Sequence, residues 1–222
     1  MNVLTNLEQI QLNIGQACDN SNRNPEEISL IAVTKYVTIE RTKETIQAGI
    51  ENLGENRLEG FLEKYKHIEN EAKWHFIGTL QTRKVKDVIN KVAAVHSLDR
   101  LSLAKEINKR AEKPVDCFVQ VNVSGEETKH GLIPDAVMSF IKEIEPYEKV
   151  RVIGLMTMAP HVEDKKVIRQ TFKKLAQLRD KIKNEHFKHA PCEFLSMGMS
   201  NDYEIAIEEG ATHIRIGSKL VG

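Results

Sequence analysis

Short apolar, β-branched runs alternate along the chain with longer stretches whose apolar positions recur every three to four residues. The runs at 29–34, 52–54, 74–78, 93–98, 115–122, 150–157, 194–198 and 213–217 read as strands. Helical spacing covers 39–48, 58–68, 83–92, 101–111, 136–144, 166–183 and 203–208. A further helix is expected over 2–17, with Leu4, Leu7, Ile10, Leu12 and Ile14 as its apolar side. Strict alternation of strand and helix requires parallel strands joined by crossover helices. The expected fold class is therefore α/β: a single TIM-type (β/α)8 barrel with an extra N-terminal helix, residues 1–222 forming one domain. An open doubly wound sheet is the alternative. Against it, no Gly-x-Gly-x-x-Gly follows the first strand, and polar signatures follow many strands rather than one switch point.

The polar signatures sit just after the strands. Lys35 follows the first, Gly54-Glu55-Asn56 the second, and Gly78 with Gln81 the third. Asn122 to Gly125 follow the fifth, Met156-Thr157-Met158 close the sixth, Ser196 to Asn201 end the seventh, and Arg215 to Ser218 end the eighth. In a barrel of this class those ends share the face where sites are built.

Three of these features carry chemistry. A buried strand has no structural use for an ammonium at its tip, so Lys35 is either the point where the strand meets water or a nucleophilic amine able to form a Schiff base. Ser200, Asn201 and Asp202 are all N-cap types at the start of a helical pattern. They either cap that helix or, with Gly217 and Ser218, present donors to a phosphate. Period-2 geometry places His213, Arg215 and Gly217 on one face of the last strand and Ile214 and Ile216 on the other. An inward guanidinium needs an acceptor: a structural carboxylate such as Glu55, or a ligand's ring nitrogen. One ligand has an aldehyde, a phosphate and a ring nitrogen to match all three, namely pyridoxal 5'-phosphate (PLP).

Bulk properties narrow the alternatives. Lysine and arginine total 32 and so do aspartate and glutamate, so nothing draws the chain to nucleic acid or an anionic membrane. The three cysteines, Cys18, Cys117 and Cys192, have no CxxC spacing, which argues against a disulfide framework or a zinc site and suits a reducing cytoplasm. No signal peptide or membrane span is expected. His75, His96 and His161 read as structural or exposed. The methionines Met156, Met158, Met197 and Met199 read as adaptable packing.

The chain resembles the pyridoxal-phosphate homeostasis proteins, which look like the barrel domain of alanine racemases standing alone. The resemblance spans essentially the whole chain. It rests on Ala32-Val-Thr-Lys-Tyr-Val37, Gly54-Glu-Asn56, Trp74-His-Phe-Ile-Gly78 with Gln81, the stretch Val121 to Gly131, Gly154-Leu-Met-Thr-Met158, Leu195-Ser-Met-Gly-Met-Ser200 with Asp202, and Ile214-Arg-Ile-Gly-Ser218. It implies that Lys35 carries PLP as a Schiff base and that Arg215 faces the pyridine nitrogen. It also implies that Ser200, Gly217 and Ser218 hold the phosphate while Asn56 and Met199 lie beside the cofactor. Glu59 and Arg83 depart from the family pattern, and both are expected toward the rim.

Arginine opposite the ring nitrogen disfavours a proton there and weakens the ring as an electron sink. The racemases take a second base, a tyrosine, from a separate domain of the partner subunit. That domain is not expected here, because the sequence stops at Gly222 after the eighth strand. Tyr36 and Tyr203 are the tyrosines nearest the motifs, and packing is the expected role of each. The resemblance thus implies a binding protein that buffers or delivers PLP, affecting amino-acid and keto-acid pools, with PLP-dependent apoenzymes as partners and a monomeric state. The alternative is a weak PLP-dependent amino-acid racemase.

Overall fold

The computed structural model describes residues 2–126 and 130–222. Among these, eight parallel strands close on themselves in sequence order: β1 (Ser29–Val33), β2 (Asn52–Glu55), β3 (Lys73–Phe76), β4 (Ala94–Leu98), β5 (Val115–Gln120), β6 (Val150–Met156), β7 (Phe194–Met199) and β8 (His213–Ile216). Closure is made by β1 against β8, where Ile31 stands opposite Arg215 and Ala32 opposite Ile216. The barrel expected from the alternation is the observed fold. Part of the stretch 121–131, residues 127–129, lies outside the described residues.

Side-chain alternation sorts the strand residues into two groups. Leu53, Trp74, Phe76, Val95, Val119, Val152, Leu195, Ile214 and Ile216 join the main core, which the surrounding helices complete. Ala94, Phe118, Ile153 and Met156 form a separate buried cluster with Phe194 against it. His213 lies edge-on to Phe118 and Phe194 at 5.1 and 5.4 Å between ring centroids. That second cluster fills the barrel's interior, so the barrel is a packed core rather than a channel.

Helices α1 (Val3–Asn20), α2 (Ile39–Gln47), α3 (Leu58–Ile68), α4 (Val85–Val88), α5 (Leu101–Arg110), α6 (Pro134–Glu143), α7 (Lys165–Lys183), α8 (Tyr203–Glu208) and α9 (Ser218–Val221) surround it. Two expectations need correction. In α1 the buried face is Val3, Asn6, Leu7, Ile10, Ile14, Ala17 and Cys18, while Leu4 and Leu12 are exposed. The helical period carries those two leucines away from the stripe set by 3, 7, 10, 14 and 17. The helix expected at 83–92 shrinks to one turn, α4, preceded by a 3₁₀ turn at Thr82–Lys84. Asn90 is instead committed to the neighbouring unit: it donates to the Arg110 carbonyl and accepts from the Glu112 amide. Among the described residues, no helix is long and apolar enough to cross a membrane.

Candidate functional site

Because all eight strands run in parallel, the residues just past their ends collect at one mouth. Residues following several of the strands organise the site. Arg215 is buried on the inner side of β8, and the opposite parity of Ile214 and Ile216 is as expected. It donates from one terminal nitrogen to Ser196 Oγ at 2.6 Å and from the other to the Thr157 carbonyl at 2.9 Å. These bonds use two of the five guanidinium hydrogens. Burial pushes the guanidinium down to about 10, against a smaller opposing pull from Asp202.

Glu55, the structural carboxylate considered for Arg215, does not meet it. Glu55 Oε1 instead accepts from the Lys64 ammonium at 2.7 Å and from Thr34 Oγ1 at 2.7 Å. Lys64 also donates to the Thr34 carbonyl at 2.6 Å, so a buried ion pair anchors the backbone immediately before Lys35. Lys64 was hidden from sequence reasoning because lysine on an amphipathic helix normally faces water.

The loops after β7 and β8 come together as expected. Ser200 Oγ accepts from the Gly217 amide at 3.4 Å and lies 3.4 Å from Ser218 Oγ. Those separations are long for hydrogen bonds, so the three groups are poorly satisfied by one another. Beside them, no side chain caps the N-terminus of α9, whose Leu220 and Val221 amides donate to the Gly217 carbonyl. Such a cluster of donors suits an oxyanion. Asp202 takes the N-cap position of α8, yet its carboxylate turns back to accept from the Met199 amide. Burial raises that carboxyl above the ordinary aspartate range, and Met199's amide and Arg215 oppose the rise. Gly198 makes this turn possible, with φ at +93° and a built Cβ only 2.6 Å from that of Ala206.

Lys35 lies two residues past β1 and is exposed at the mouth, its ammonium 5.0 Å from the centre of the Tyr36 ring. Among the described residues no hydrogen bond joins it to Arg215, Ser200 or Ser218. Gly217 packs against Val33, which brings the β8 loop beside the strand that carries the lysine. Asn56 is half-buried just past β2, and Met199 is 38% exposed at the end of β7. Met158 shares that rim, whereas Met156 fills the barrel interior and Met197 the outer core. Tyr203 is buried outside the barrel and receives the Asn13 amide at 2.9 Å, while Tyr36 is exposed.

Below Arg215, His75 and His96 are buried and hydrogen-bonded, as expected of structural histidines. Burial, reinforced by the neighbouring cations and rings, drives His75 to about 3, His213 to about 4 and His96 well below the usual histidine range. Ser196 and Thr157 were not anticipated as partners of Arg215. Strand alternation does give Ser196 the same inward parity as Phe194, and that signal was available.

The family model described as alanine racemase, N-terminal domain, matches residues 5–222. A relative from Aquifex aeolicus named pyridoxal phosphate homeostasis protein is 42% identical, covering 100% of this chain and 98% of its own. A crystal structure of a protein from Bifidobacterium adolescentis, described as unknown, has a TM-score of 0.94 at 30% identity and covers 99% of this chain and 94% of its own. PipY of Synechococcus elongatus, solved without PLP, gives 0.84 at 26% identity, covering 94% of this chain and 99% of its own. A second PipY structure, with PLP bound, gives 0.82 at 24% identity, a likeness of fold. The chain belongs to the alanine racemase N-terminal domain family and, within it, to the pyridoxal phosphate homeostasis proteins.

Proposed function

We propose that this chain binds PLP at the barrel mouth and takes part in intracellular PLP homeostasis, buffering the cofactor or delivering it to apoenzymes. The observation that carries the reading is the convergence of a buried arginine, a loose oxyanion cradle and a strand-end lysine at one end of a closed barrel. The name shared by the relatives supports it. The donor set fits the group. Ser200, Ser218, the Gly217 amide and the start of α9 would hold the phosphate, and Arg215 would face the ring nitrogen. Lys35 would supply the amine that joins the aldehyde, with Asn56 and Met199 flanking the ring. When bound, the cofactor supplies an electrophilic aldehyde and a conjugated ring.

The residues favour storage over turnover. Arg215 is a permanent cation toward the ring nitrogen, so it opposes the protonation that makes the ring a strong electron sink. Racemisation also needs an acid–base group on each face of the substrate carbon. Tyr203 is packed outside the barrel and Tyr36 projects into solvent, so neither is held in place for that role. The expected monomeric state belongs to the same reading.

The test is chemical. Protein saturated with PLP is reduced with borohydride, digested and analysed by peptide mass spectrometry, and the adduct is expected on the peptide containing Lys35. An adduct confined to other peptides, or none in saturated protein, defeats the assignment. Robust interconversion of single amino-acid enantiomers, lost in Lys35→Ala, would favour the racemase instead.

A further inference from the structure

A line of polar side chains runs through the barrel interior beneath Arg215, and the binding site as described does not account for it. Arg215 donates to Ser196 Oγ at 2.6 Å, and His96 Nδ1 lies 2.8 Å from the same oxygen. His96 Nε2 lies 2.9 Å from His75 Nδ1, and His75 Nε2 lies 3.1 Å from Asn52 Oδ1. Ser196 and His96 are fully buried, and His75 is 6% exposed. The line crosses β8, β7, β4, β3 and β2 and ends at the first residue of β2, away from the mouth.

The proton positions along this line follow from its two ends. Arginine only donates, so Ser196 Oγ is an acceptor toward Arg215. The serine's own hydrogen then goes to His96 Nδ1. His96 must carry its hydrogen on Nε2 and donate it to His75 Nδ1. His75 in turn carries its hydrogen on Nε2 and donates to the Asn52 oxygen. Each interior group donates once and accepts once. In the reverse sense the serine hydrogen has no acceptor among the described residues, and Asn52 would have to present its amide where its oxygen stands. Burial holds both rings neutral, as the scheme requires.

We infer that Ser196, His96 and His75 form a one-way hydrogen-bond chain that orients Arg215 toward the ring nitrogen of the bound cofactor. The inference rests on the PLP-binding reading above. A serine hydroxyl alone rotates freely and would hold a guanidinium loosely. With its hydrogen committed to His96, the oxygen lone pairs point at Arg215 in one orientation. The Thr157 carbonyl supplies the second fixed point, so the guanidinium plane is set by two acceptors. Both direct acceptors are neutral, so the positive charge is not cancelled at contact. The arginine's charge also polarises the chain and strengthens each successive bond. Ser196, His96 and His75 are thus positioning residues, acting on the cofactor only through Arg215. His96 is itself held by stacking on Phe118, with ring centroids 4.3 Å apart.

The experiment has two arms. Long-range nitrogen–proton NMR of the histidine-labelled chain without PLP is expected to show His75 and His96 neutral and protonated on Nε2 at pH 7. A hydrogen on His96 Nδ1, or a charged ring at either position, overturns the chain. In the second arm PLP is titrated into wild type and Ser196→Ala, and affinity and the absorption band of the bound cofactor are recorded. Loss of a hydrogen bond to a charged group predicts binding weakened about tenfold, with a displaced band. Unchanged affinity and band in a folded variant overturn the positioning role. A wild type that takes up no PLP removes the binding reading itself and the proposal with it, an outcome distinct from both. If Ser196→Ala does not fold, the wild-type tautomers decide.

Discussion

Lowering the pH from 7.5 to 5 is expected to destabilise this barrel far more than its zero formal net charge would indicate. Three histidines, His75, His96 and His213, occupy the barrel interior with their affinity for protons depressed by burial. In the unfolded chain each regains the ordinary value near 6.5, so between that value and the folded one the unfolded state binds more protons. Stability is therefore fully present above about pH 6.5 and falls as the pH drops toward the folded values of about 4 for His213 and about 3 for His75. At pH 5 the difference from 6.5 is about 1.5 units, or about 2 kcal/mol for each of these two residues. Together they contribute about 4 kcal/mol, and His96 adds in the same sense. Against a typical total of about 5–15 kcal/mol this is a large share. The window is clean, because most carboxylates remain ionised down to pH 5. Urea unfolding followed by fluorescence of the single tryptophan, Trp74, which is buried, reads the effect directly. A decline of less than about 1 kcal/mol between pH 7.5 and 5 would refute the reasoning, since one buried neutral histidine alone exceeds it.

Lys64→Met leaves the Glu55 carboxylate buried without its cation, and Glu55 Oε2 already has no hydrogen-bond partner. Removing one member of such a pair costs about 3–5 kcal/mol, so the melting temperature should fall by roughly 10 °C, measured by calorimetry. The paired change Glu55→Leu with Lys64→Met should recover most of that loss. Gly198→Ala forces a side chain into a left-handed backbone and against Ala206 and Tyr203. It should cost about 2–4 kcal/mol by denaturant titration and weaken PLP uptake, because Met199 and Ser200 follow it directly.

The barrel was legible because its signal is repeated. Each strand carries its own short apolar run, and each helix its own stripe. The last strand illustrates how far this goes: parity alone puts His213 and Arg215 on one face and Ile214 and Ile216 on the other, and the structure turns the first face inward. The loops bearing Ser200, Gly217 and Ser218 were likewise brought together by fold logic alone. What was not legible depends on register between strands far apart in sequence. Ser196 meets His96 only because β4 and β7 face each other across the interior, and irregular pairing beside both strands decides the heights of their side chains. Lys64 was missed for another reason: local pattern assigns lysine to water, and only tertiary packing supplies the carboxylate and carbonyl that satisfy it. The over-long helix at 83–92 failed because a single asparagine side chain, Asn90, bonds across to the end of the next helix.

Closure of β1 onto β8 has a consequence for how a newly made chain acquires its cargo. Lys35, the amine proposed to join the aldehyde, follows the first strand, while Arg215 and both loops of the proposed cradle follow the seventh and eighth. A nascent fragment lacking the final strand has a lysine with nothing opposite it, and its exposed sheet edge is still seeking a neighbour. On the proposed reading, tight capture of PLP should therefore begin only once the ring of strands has sealed, making loading a built-in report of barrel closure.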